Sequence, residues 1–337
     1  MSKKIITFGE VLLRLSGQHH ERIQQASVFD VVYGGSEANV GIALSQWANK
    51  ASHVSVLPDN DLGYAAIQAL RKFGVGVDHI QVQPGRIGIY LLENGASVRA
   101  SKVIYDRYDS AFAKLEASKI NWEEILKGAD WFHWSGITPA ISASAAKACL
   151  EAVKAARKLN IKISGDINYR RVLWQYGKSP QEIMPELISY CDVVVGGKTD
   201  FENCLGIVPQ GDDEDPFVSV CKQVTKQFPA AKMFANTVRD TIDASENSLY
   251  GIFYANQQLY TSQVYNLHDI VDRIGSGDAF MAGLIHKCLH SNSLQETIEF
   301  ATAAAAFKHT IPGDALIATQ EEINQLVQGI NVGKLLR

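Results

Sequence analysis

The stretch Asp272-Arg273-Ile274-Gly275-Ser276-Gly277-Asp278-Ala279-Phe280-Met281-Ala282-Gly283-Leu284 decides how the rest of the chain is read. An apolar-tending run, Val264 to Val271, precedes it, and after Gly277 small and apolar residues fall at Ala279, Phe280, Ala282, Gly283 and Ile285, a helical spacing. The glycines therefore mark the hand-over from a strand or loop to a helix. The first turn of a helix leaves N–H groups unpaired and carries partial positive charge, and Gly275 and Gly277 let the backbone approach a bulky anion. The amides of Gly275, Ser276, Gly277 and Asp278 thus make a phosphate cradle. Asp278 lies in that turn, where the helix start favours its ionised form. Beside a phosphate, a carboxylate is better explained as accepting a proton from an attacking nucleophile than as a phosphate ligand. The plain alternative is a glycine turn with an acid stabilising the helix start. A dinucleotide fingerprint needs a third glycine where Phe280 stands, and a Walker loop needs Gly-Lys-Ser/Thr at its end.

Working outward, the chain has 337 residues, 46% hydrophobic and 20% charged, enough for one large α/β domain with a smaller appendage. A net charge of −4 without basic runs excludes a general nucleic-acid or anionic-membrane binder. The apolar run Ile5 to Phe8 is too short for a signal peptide or a membrane span, so the cytoplasm is the expected location. Five scattered cysteines without a Cys-x-x-Cys pair are expected to be reduced and mostly buried. His286 and His290 share a helical spacing but lack an acidic neighbour at ligand spacing, and are read as incidental.

Ile5 to Gly9 reads as a buried strand, and Val11, Leu13 and Leu15 then alternate with polar residues, as in a strand with one wet face. Gly34 and Gly35 precede a helical pattern through Trp47. Strand 52–57 and helix 62–73 follow, the alternation of a parallel sheet with covering helices. Asn94-Gly95 between alternating runs in 86–98 signals a hairpin, expected to pair with 11–16 and 28–33 as a second sheet. In the strand that follows, Tyr105 and Arg107 point to one face, a hydroxyl beside a guanidinium suited to an oxygen-rich, acidic ligand; a solvated edge strand is the alternative. The rhythm resumes with strand 131–134, helix 142–159 and strand 161–164, which runs into Gly165-Asp166-Ile167-Asn168-Tyr169-Arg170, where open α/β sheets bind ligands. Gly197-Lys198-Thr199 imitates the end of a Walker loop. Its first glycine would fall at Asp192, and Val193 to Val195 is strand, so that reading is rejected. Ala231 to Asn236 is another buried strand, 301–307 a small-residue helix suited to close packing, and Gly211 to Pro216, with four acids, an exposed loop.

These motifs together resemble the ribokinase-like (PfkB-type) carbohydrate kinases. Asp272, Gly275, Gly277 and Asp278 match the C-terminal signature Asp-x-x-Gly-x-Gly-Asp, and Gly34-Gly35-x-x-x-Asn39 the N-terminal one. The resemblance implies an α/β fold, mostly parallel with helices on both faces, formed by 1–10, 36–84 and 111–337. A β-sheet lid over the sugar comes from 11–35 and 85–110. It makes Asp278 the catalytic base, with Gly275, Ser276 and Gly277 in the anion hole. Tyr105-x-Arg107-x-x-Ser110-Ala111 and Asp166-x-Asn168-x-Arg170 are similar to the 2-keto-3-deoxygluconate kinase branch. That likeness implies substrate contacts at Gly34, Tyr90, Tyr105, Arg107, Arg170 and Asp314. Arg171 competes with Arg170 by one residue of register, and a polar turn with Asp314. Asn168, Thr237 and Arg239, with Gly275 and Gly277, are implied on the ATP side. The family's Asn-x-x-Glu, which supports Mg2+ and phosphates, is replaced by Gly197 and Asp200, leaving Asp200 as the implied metal-side residue. The expected activity is ATP-dependent phosphorylation of 2-keto-3-deoxygluconate on its terminal hydroxyl, in a dimer. The rivals are a kinase of the same family for a neutral sugar or nucleoside, and a non-catalytic sugar-acid sensor, which would need no base.

Overall fold

The computed structural model describes residues 2–211, 215–241 and 244–330. In chain order the strands are β1 (Lys4–Phe8), β2 (Leu12–Gly17), β3 (Phe29–Gly34), β4 (Lys50–Pro58), β5 (Ile80–Gln83), β6 (Gly88–Glu93), β7 (Lys102–Asp106), β8 (Trp131–Ser135), β9 (Lys162–Asp166), β10 (Val193–Val195), β11 (Met233–Thr241), β12 (Asn247–Ala255), β13 (Gln258–Thr261) and β14 (Tyr265–Leu267). The helices are α1 (Ser36–Gln46), α2 (Asp61–Lys72), α3 (Trp122–Leu126), α4 (Ile137–Ile141), α5 (Ala143–Lys158), α6 (Pro180–Ile188), α7 (Lys198–Leu205), α8 (Pro216–Gln227), α9 (Ser276–His290), α10 (Leu294–Lys308) and α11 (Gln320–Val327).

The main sheet runs β13-β12-β11-β10-β9-β8-β1-β4-β5, with β14 also paired to β12. It is parallel from β11 to β5 and antiparallel at its β11-β12-β13 edge. Continuous apolar strands such as Val193-Val194-Val195 need cover on both faces. One face is covered by a core that includes α5, α6 and α8, the other by one that includes α1, α9 and α10. The small-residue helix expected at 301–307 is part of α10, and a Cβ on Gly283 would stand 2.6 Å from the Cα of Ala301, so α9 and α10 touch along their backbones. Four cysteines are buried, Cys288 is half-buried, and all five are free. Among the described residues no helix is long and apolar enough to cross a membrane.

The second sheet has the order β3-β2-β6-β7. The segment 86–98 pairs with 11–16 as expected, but its turn does not lie at Asn94-Gly95. Strand β6 ends at Glu93, opposite Lys102 of β7, and the connection closes on an Ala96–Arg99 bridge with Ser97 at positive φ. A two-residue Asn-Gly turn would bring residue 96 opposite residue 93; the eight-residue connection slides β7 along β6 by six residues and sets Tyr105 directly opposite Tyr90 and Val103 opposite Leu92. The wet face expected for β2 is corrected too: Arg14 and Ser16 are 3% and 4% exposed, because their side of the sheet faces other parts of the chain rather than solvent. The acidic loop expected at 211–216 falls partly on 212–214, outside the described residues. His286 and His290 both hydrogen-bond Asn49, at 3.2 and 3.0 Å.

Candidate active site

A cavity of about 350 Å3 opens between the carboxyl ends of the parallel strands and the inner face of the small sheet. Its floor is the turn that begins α9. Gly275 caps that helix at φ 80°, and a Cβ there would stand 1.6 Å from the carbonyl oxygen of Asp314, so only glycine fits. Asp272 braces the turn from behind: its oxygens accept the N–H groups of Ile274 and Gly313 at 3.0 and 3.1 Å. The first intrahelical bond is Ala279 N–H to Gly275 O, 2.9 Å, so the amides of Ser276, Gly277 and Asp278 precede it. A Cβ on Gly277 would meet nothing within 4 Å, which leaves an open concavity over those amides that suits a phosphoryl group. The Arg239 guanidinium hydrogen-bonds the Ser276 hydroxyl at the rim.

Asp278 reaches into the cavity from the first turn of α9, with Oδ1 accepting from Ser36 Oγ at 2.8 Å and Oδ2 from Asn39 Nδ2 at 2.7 Å. Burial raises its pKa to about 6, against these hydrogen bonds, which lower it. Desolvation outweighs these hydrogen bonds, yet a pKa of about 6 still leaves the carboxylate mostly ionised at neutral pH, as the helix start leads one to expect.

Opposite the floor, the register of the small sheet lines up Val32, Arg14, Tyr90 and Tyr105 across all four strands on the inner face. Arg14 donates to Asp272 and Asp314, both at 2.7 Å, and Tyr90 Oη donates to Asp314 at 2.5 Å. Tyr105 and Arg107 both line the cavity, with the guanidinium 5.7 Å from the Tyr105 ring centre. Arg107 lies just past β7, and its Nε and Nη2 both donate to Glu10, at 2.9 and 2.5 Å, while the Ser110 hydroxyl takes the other Glu10 oxygen. One edge of the guanidinium fork is therefore already engaged. Gly34 does not reach the wall; it lies behind Asp314, whose Oδ2 a Cβ would meet at 2.6 Å.

Toward the antiparallel edge the wall is formed by Asn168, Thr237, Arg239 and Asp200. Asn168, at φ 38°, donates to Ser36 Oγ at 3.4 Å. Both Asp200 oxygens accept backbone N–H groups, from Tyr169 at 3.1 Å and Gly197 at 2.8 Å, so this residue caps α7 as well as facing the cavity. Gly197 is the N-cap of that helix. Arg170 lines the cavity from the segment after β9, and Arg171 is not on its wall. The Asp166 carboxyl is pushed well above its usual value by burial and then by the charges of Asp200 and Asp278.

Sequence reasoning passed over Glu10, Arg14 and Ser36 as site residues. Glu10 had a signal, being a carboxylate two residues past the end of a buried parallel strand. Arg14 and Ser36 had none, because the carboxylates they meet lie more than 200 positions away.

The pfkB family carbohydrate kinase model matches residues 2–320. A crystal structure of 2-dehydro-3-deoxygluconokinase from Thermotoga maritima is 42% identical, with TM-score 0.92, covering 98% of this chain and 99% of that one. A pfkB family carbohydrate kinase from Listeria grayi is 32% identical with TM-score 0.90, covering 97% of this chain and 100% of that one. The 2-dehydro-3-deoxygalactonokinase of Haloferax volcanii is 28% identical over 333 residues, 99% of each chain. The fold is ribokinase-like, and the chain belongs to the pfkB family of carbohydrate kinases, phosphotransferases with an alcohol acceptor.

Proposed function

We propose that this kinase transfers the γ-phosphoryl group of ATP to the terminal hydroxyl of 2-keto-3-deoxygluconate. The observation that carries the reading is a single cavity with the Asp278 carboxylate and the open amide cradle on its floor, and Arg107 and Tyr105 on the facing sheet. As the hydroxyl oxygen attacks the γ-phosphorus, its proton passes to Asp278, the bond to the β-phosphate oxygen breaks and ADP leaves. The amides of Ser276 to Asp278 stabilise the transferring group, with Arg239 at the rim. Thr237 and Asn168 form the nucleotide side, while Tyr90, Tyr105, Arg107, Arg170 and Asp314 hold the sugar acid, with Gly34 giving Asp314 room. Assaying a panel of sugars and sugar acids for ATP-dependent phosphorylation tests the assignment; a preference for ribose or fructose overturns it. One observation favours a neutral sugar, namely that Glu10 already pairs with Arg107.

Among the described residues no cluster of three or more His, Cys, Asp or Glu could hold a metal ion. The crowding of carboxyls that pushes the Asp166 pKa up nevertheless suits a cation brought in by the phosphates, which would favour the ionised form, with Asp200 as its protein-side neighbour. Mg2+ bound there supplies charge neutralisation of the phosphates. Gly197 has extended backbone (φ −89°, ψ 174°), which asparagine can adopt, and its Cβ, 3.3 Å from Asn236 Nδ2, needs only a small shift of that side-chain amide. Gly197→Asn is expected to lower the free Mg2+ needed for half-maximal activity, and an unchanged titration shows the replacement to be neutral.

The outer face of the small sheet carries an aliphatic row across its strands, Val31, Leu15, Leu91 and Ile104, with Val31 57% and Ile104 40% exposed. This face is the pairing surface of a homodimer. Light scattering on the purified protein is expected to give twice the chain mass, and Ile104→Lys a monomer; a wild-type monomer contradicts the pairing.

A further inference from the structure

We infer that Ser36 and Asn39, from the first turns of α1, are positioning residues that aim the Asp278 carboxylate and hold it ionised. The inference rests on Asp278 being the proton acceptor. A carboxylate at a helix start can rotate broadly about its last torsion. Here each oxygen is fixed by a separate donor, Ser36 Oγ at 2.8 Å and Asn39 Nδ2 at 2.7 Å, so the remaining lone pairs face the cavity.

Both donors are themselves oriented. Asn39 Oδ1 accepts the Gly35 N–H at 3.4 Å, which turns the amide nitrogen toward Asp278. Ser36 Oγ accepts from Asn168 Nδ2 at 3.4 Å, so its own single proton is directed to the carboxylate. A chain of hydrogen bonds thus runs from the end of β9 through the start of α1 to the start of α9, joining three segments around the reacting oxygen. Hydrogen bonds to the charged form favour that form. They oppose burial, which alone would leave the base protonated over more of the neutral range. The other charges facing Asp278 are Asp314 in the loop before α11, Asp166 at the end of β9, Arg170 just past it, and Lys308 on α10. Asp200 and Glu37 lie farther along the same wall. None of these is altered by a change at Ser36.

The test is kcat against pH, from pH 5 to 9, for wild type, Ser36→Ala, Ser36→Thr and Asp278→Asn, with thermal melts of each. Wild-type kcat should fall as pH drops through about 6. In Ser36→Ala that limb should move to higher pH by about half a unit or more, with the KM for ATP within about twofold. Ser36→Thr, which keeps the hydroxyl, should return it. Ser36→Cys, close in size but a weaker donor, should shift it in the same direction and serves if the alanine variant does not fold. An unmoved limb in Ser36→Ala or Ser36→Cys, beside an inactive Asp278→Asn, overturns the positioning role and leaves the base assignment standing. Substantial activity in Asp278→Asn overturns the base assignment itself.

Discussion

Asp278→Asn is expected to lower kcat by about 100-fold or more while leaving the KM for ATP within a few fold, because a positioned base contributes on that scale. The substitution is nearly isosteric. It leaves the turn, the open space over Gly277 and the bracing by Asp272 in place, so the cradle survives. What disappears is the acceptor for the hydroxyl proton. Retention of more than about a tenth of wild-type kcat would contradict the role of Asp278. A variant that binds ATP but does not turn over also separates an enzyme from a sugar-acid sensor, which gains nothing from a base.

The second large effect is at Arg107. Arg107→Ala is expected to reduce kcat/KM for the keto acid by about 30-fold or more, roughly 2–5 kcal/mol, since a carboxylate closed into the cavity would lose its charged partner. Part of that loss has a second origin. Glu10 is 3% exposed and would keep only the Ser110 hydroxyl, so its charge, no longer neutralised, would repel the substrate carboxylate. Glu10→Gln separates the two: it keeps an acceptor beside the guanidinium but removes the competing charge, and should hold or improve the KM for the acid. Lysine at 107 should restore activity only in part, because it keeps the charge without the fork. The loss should fall mainly on KM, as expected for a group remote from the reacting hydroxyl. If Arg107→Ala harms a neutral sugar of similar length as much as the acid, the acid-sugar assignment fails.

The parts legible in the sequence were those whose physics is local. Gly275 and Gly277 ahead of a helical apolar spacing announce a helix N-terminus open to an anion, and Val193 to Val195 announces a strand covered on both faces, because turn chemistry and periodicity act within a few residues. The Asn94-Gly95 signal pointed to the second sheet but to the wrong turn. The register there follows the row Val32, Arg14, Tyr90 and Tyr105 rather than two turn residues. Side-chain partnerships were not legible at all. Arg14 reads as a solvated strand residue until topology brings it 300 positions along the chain to Asp314, and Arg107 reads as a free fork until Glu10, just past β1, closes on it. The raised pKa of Asp278 was likewise decided by tertiary structure: a helix start favours the ionised form, and only the walls of the folded cavity remove enough water to push the carboxyl up to about 6.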